Sequence, residues 1–94
     1  MNHQYNFPVQ RAAIEDACKV IRELPEFCKF SLTVTDEDVY SAPAVLNIFI
    51  RTEEYRALIQ SAISSVVDLS KVTDVESMSI SYRFGPLIVS IITE

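Results

Sequence analysis

Residues able to do chemistry are few in this sequence, and their spacing limits what they could do. His3 is the only histidine. A Ser-His or Cys-His nucleophile would have to rest on it alone, and no acid-base neighbour surrounds it. Hydrolase chemistry of those kinds is therefore not expected. Asp36, Glu37 and Asp38 form the densest acidic cluster. Carboxylate oxygens can ligate calcium or magnesium, but the run lacks the D-x-D-x-D-G framework of an EF-hand. It reads as a solvated loop, or as an acidic loop that faces a basic patch on a protein partner. Glu15-Asp16 and Glu53-Glu54 fall on helix surfaces or caps, whereas acid-base carboxylates need a pocket that raises one pKa. Cys18 and Cys28 show no CxxC spacing, so zinc is not supported. Both read as small buried apolar residues. Ser77, Ser79 and Ser81 alternate like a hydroxyl ladder, which is also the ordinary wet face of an edge strand. Gly85 is the single glycine, which excludes glycine-rich phosphate cradles. No catalytic residue, cofactor or metal is expected, and the chain does not read as an enzyme.

Composition narrows the class further. The chain has 94 residues, 49% of them hydrophobic, with a formal net charge of −5. That supports one globular domain, here 8–94 behind an N-terminal tail, 1–7. The acidic balance argues against nucleic acid, which needs a basic footprint. No apolar run approaches the length of a membrane span, and residues 1–7 do not read as a signal peptide. A cytoplasmic location is the expectation.

The elements that must position these residues follow from periodicity. Pro8 can open a helix. Val9, Ala12, Ala13, Ala17, Val20, Ile21 and Leu24 recur at helical spacing up to Pro25. On the other face Arg11, Glu15, Lys19 and Glu23 are set for i,i+4 pairs. Residues 28–35 alternate apolar and polar, as a half-buried strand does. A loop, 36–43, precedes a second strand, 44–51, that is apolar on both faces. Thr52 suits an N-cap for a second helix, 53–67. A third strand is predicted over 75–84, a tight turn at Gly85-Pro86, and a nearly all-apolar fourth strand over 87–93.

The order α-β-β-α-β-β predicts an α+β two-layer sandwich. Strands apolar on both faces belong in the centre of a sheet and strictly alternating ones at its edges. The expectation is a four-stranded antiparallel sheet of order 1-2-4-3, with both helices on one face. This arrangement resembles a circularly permuted ferredoxin-like fold. The resemblance is topological and implies no functional residue.

The helix-free face is the candidate site. A two-residue turn at Gly85-Pro86 sets Arg83 opposite Ile88, Ser81 opposite Ser90 and Ser79 opposite Ile92. Val45, Asn47 and Phe49 join them from the second strand, and Ser31 and Thr33 from the first. Val45, Phe49, Ile88 and Ile92 make an apolar centre. Ser31, Thr33, Ser77, Ser79 and Ser81 make a polar rim, the anatomy of a protein interface. The expected function is a small acidic protein-interaction module: an inhibitor, immunity or chaperone-like subunit that binds a protein partner or itself as a homodimer. A competing occupant of the face is the tail, with Tyr5 and Phe7 as the cover. The alternative function is a dimeric small-ligand-binding or sensing domain, or a minimal enzyme using Arg51, Arg83, Asn47 or the serines at a dimer interface.

Overall fold

Small residues at helical spacing let the first helix sit close to a sheet. In the computed structural model, which describes residues 7–34 and 44–94, α1 spans Phe7–Glu23. Its Ala13, Ala17 and Val20 are fully buried. Lys19 pairs with Asp16 at 3.5 Å, one residue closer than the expected i,i+4 partners. Cys18 is exposed, not buried as its residue type suggested. One helical step of about 100° from Ala17 turns it off the apolar stripe. Cys28 is partly buried.

Two strands follow, β1 (Lys29–Val34) and β2 (Ala44–Ile50). They pair antiparallel. Along β2, Ala44, Leu46, Ile48 and Ile50 are buried, while Val45, Asn47 and Phe49 are half-buried. The second helix, α2 (Glu54–Ile63), is shorter than expected, and its N-cap is Glu53, with no side-chain cap bond. Thr52 contributes only its carbonyl, which accepts from the Tyr55 N–H at 3.1 Å. Past Ile63 the chain meets Ser64, Ser65, Val66 and Val67, all weaker helix formers. It leaves the helix there and drops Val67 into the core. Asp68 then organises a turn. It accepts bonds from the Ser70 hydroxyl at 2.7 Å and the Ser70 N–H at 3.0 Å, which hold its carboxyl below the usual pKa.

The expected third strand is in fact two. β3 (Val72–Glu76) and β4 (Ser79–Phe84) are separated by a reversal at Ser77 and Met78. A single strand over 75–84 would overhang its neighbour β5 (Leu87–Thr93), which has seven residues. Folding back pairs the overhang with β4 instead. Gly85-Pro86 forms the two-residue turn, and Gly85 has φ 56°, as the first central residue of a type II′ hairpin requires.

The sheet has five strands in the order β1-β2-β5-β4-β3. It is mixed: β2 and β5 pair parallel, the other neighbours antiparallel. The expected relative order of the four strands is preserved, but the wholly antiparallel, ferredoxin-like arrangement is not. The cause is parity, since the extra reversal at Ser77-Met78 flips the direction of every later strand. Both helices pack on one face, where Ile59 and Ile63 of α2 share one buried cluster with Tyr82, Leu87, Val89 and Ile91.

Candidate functional site

Strand register assembles the helix-free face from alternate residues of all five strands. Side chains at paired positions lie side by side, about 4.8 Å apart. One row runs Thr33, Val45, Ile88, Arg83. The middle row runs Ser31, Asn47, Ser90, Ser81, Asp74. The third runs Lys29, Phe49, Ile92, Ser79, Glu76. Two apolar pairs, Val45 with Ile88 and Phe49 with Ile92, therefore flank a polar centre line. All four are half-buried. No described helix residue covers them, because the buried helix residues cluster with the opposite face.

Two residues of the polar line are bonded to each other. Ser81 Oγ and Ser90 Oγ lie 2.7 Å apart, and Ser90 is only 8% exposed. These two hydroxyls satisfy each other, so this pair costs little to desolvate. Arg83 is held by its own turn: Nε donates to the Gly85 carbonyl at 2.7 Å. Its guanidinium is thus tethered at the rim.

The expected face residues Val45, Asn47, Phe49, Ile88, Ile92, Ser79, Ser81 and Arg83 come together on one surface. Ser77 does not join them, since it lies in the reversal between β3 and β4. Asp36, Glu37, Asp38 and Tyr5 lie outside the described residues, and Phe7 begins α1. Lys29, Asp74 and Glu76 were missed as face residues. Lys29 was legible, for it alternates with Ser31 and Thr33. Asp74 and Glu76 were not, because their strand was read as a connection and the start of a longer strand.

A cleft of about 360 Å³ opens at one end of the sheet. It lies where β2 and β5 reach their carboxyl ends, the usual ligand position beside parallel strands. Phe27, Phe49 and Tyr55 give it apolar walls, and Lys29, Arg51 and Glu94 line it with charge. The rings of Phe27 and Tyr55 stand 5.8 Å apart, tilted by 58°. Cys28 also lines it, and burial pushes its thiol pKa up. That favours the neutral, unreactive form. Aromatic walls beside cations can seat a small planar anion. Among the described residues no group of three or more His, Cys, Asp or Glu side chains is arranged to hold a metal. None of the described helices is long and apolar enough to cross a membrane.

Comparison with protein families, with curated proteins and with solved structures finds no match for the chain.

Proposed function

We propose that this chain is a small acidic protein-interaction module that acts by binding protein through its helix-free sheet face. An inhibitor, immunity or chaperone-like subunit works in this way, by contact and not by turnover. The observation that carries the reading is the pairing of Val45 with Ile88 and of Phe49 with Ile92 on a face that no described helix covers. Four half-buried apolar side chains clustered on one open face favour association. The bonded Ser81-Ser90 pair and the tethered Arg83 supply polar groups already ordered before a partner arrives. Pre-ordering lowers the entropic cost of binding.

Light scattering on the wild-type chain and on Phe49→Arg tests the reading. The wild type should exceed the mass of one 10.6 kDa chain. Phe49→Arg should be monomeric with a native circular dichroism spectrum. A folded Phe49→Arg chain that assembles as the wild type does would overturn it.

A further inference from the structure

The cleft at the end of the sheet gathers charges that the rest of the fold leaves uncompensated. Lys29 is set beside Phe49 by the β1–β2 register, and Arg51 directly follows β2. Both line the cleft. So does Glu94, whose N–H donates to the Ile50 carbonyl at 2.8 Å and so fixes it beside the end of β2. All three are exposed. The ion pairs among the described residues are Lys19 with Asp16 and Arg56 with Glu53, so these three charges pair neither with each other nor elsewhere in the described chain. Two cations against one carboxylate leave the lining net positive, in a chain whose overall charge is −5.

The apolar part of the lining is equally unfinished. Phe27 is 66% exposed, more than any other large hydrophobic side chain described, and Tyr55 is 40% exposed. Their rings stand 5.8 Å apart and tilted, so they brace each other and leave no slot between them. A planar group would lie against their outer surface. Covering that surface removes apolar area from water, which is favourable in proportion to the area.

Each part of the lining rejects a class of occupant. Inorganic phosphate would use the cations and leave the rings wet. A neutral hydrocarbon would cover the rings but desolvate the cations unpaired, which is costly. A second negative charge on the ligand would meet Glu94. A planar ring with one carboxylate satisfies both halves. A guanidinium such as that of Arg51 can grip a carboxylate through two parallel N–H bonds. Lys29 adds a point charge, and the ring can rest offset or edge-on against Phe27 and Tyr55. The cleft holds about 360 Å³, near the low end of the roughly 300–1,000 Å³ of small-molecule sites, which suits one or two rings.

We propose that this cleft is a binding site for a small aromatic monocarboxylate, with Arg51 and Lys29 holding the carboxylate and Phe27, Tyr55 and Phe49 the ring. The site is separate from the protein-binding reading of the open face. Lys29 and Phe49 belong to both, so the test uses Arg51 and Phe27, which lie outside the strands.

The test is a titration of the isotopically labelled chain with naphthoate, followed by its amide resonances, with naphthamide, cyclohexanecarboxylate and inorganic phosphate as comparisons. Naphthoate should saturate with a dissociation constant on the order of 1 mM, the strength a ligand of this size reaches at modest efficiency. The shifts should centre on residues 27–29, 49–55 and 94. Naphthamide, which lacks the charge, should bind about tenfold more weakly. Cyclohexanecarboxylate, which lacks the aromatic ring, should bind about fivefold more weakly, and phosphate should not saturate. Arg51→Gln should weaken naphthoate about tenfold and Phe27→Ala about fivefold. Both positions are exposed, so both variants should keep the native dichroism spectrum. Lys71→Gln, before β3 and outside the cleft, should bind as the wild type does. Shifts that do not saturate below about 20 mM, or that centre elsewhere, overturn the proposal. So does an Arg51→Gln chain that binds naphthoate as tightly as the wild type, or equal binding of the acid and its amide. The open face is judged separately, by the mass of the Phe49→Arg chain.

Discussion

Thr93 shows how one hydroxyl can work against this fold. It lies on the helix side of the sheet at the end of β5, 8% exposed, and its Oγ1 has no hydrogen-bond partner among the described residues. An unpaired buried hydroxyl costs about 1–3 kcal/mol. Thr93→Val keeps the shape and removes the polar atom. It should raise stability by about 1 kcal/mol, read from the urea midpoint at constant slope. A fall in the midpoint would show that the hydroxyl is satisfied by solvent. Tyr82 is the contrast, fully enclosed but with its hydroxyl accepting from Gln60 Nε2 at 2.8 Å. Sequence could place Tyr82 in the core, because it alternates with Ile80 and Phe84. It could not supply Gln60, which comes from another element. At Gly85 the reverse holds: the turn was legible from Gly-Pro alone. The close approach of Asp16 Oδ2, 3.1 Å from where a Cβ would stand, comes from α1 packing nearby.

At the level of elements, β5 carries the sheet. It is bonded to β2 on one side and β4 on the other, and Leu87, Val89 and Ile91 are fully buried. Deleting residues 91–94 should therefore unfold the chain and not merely trim it, seen as loss of a cooperative thermal transition by circular dichroism. A shortened chain that keeps the native spectrum would show that β5 is dispensable, as an edge strand would be. The central place of β5 was legible because Leu87, Ile88, Val89, Ile91 and Ile92 leave no wet face. β3 was not legible for the opposite reason. All five of its residues are exposed, so burial imposes no pattern on them, and its Val75 is 63% exposed. Such a strand exists by hydrogen bonding to β4, which is a tertiary fact. α2 shows the same limit at its end: the apolar stripe continues through Val66 and Val67, but the helix stops at Ile63 and Val67 reaches the core from a turn.

For the molecule as a whole, α1, α2, β2, β4 and β5 contribute to one continuous core. Unfolding should then be a single transition. Far-ultraviolet dichroism and the near-ultraviolet tyrosine signal should follow the same curve. If the open face joins two copies, the midpoint should also rise with chain concentration, because association stabilises only the native state. Separated curves would mean that the helices or the β3–β4 hairpin melt on their own.

The sequence by itself determined the α+β class, the alternation of sides along β1, β2, β4 and β5, and the Gly85-Pro86 hairpin with its register, and hence the part of the face those four strands supply. These are properties of periods two and 3.6 and of one left-handed glycine turn, all of them local. Only the tertiary structure decided the number of strands, the parallel pairing of β2 with β5, and the charged edges of the face. Those depend on the reversal at Ser77-Met78, which no burial pattern marks. One such reversal changes the direction of everything after it, so a local ambiguity became a global difference in topology.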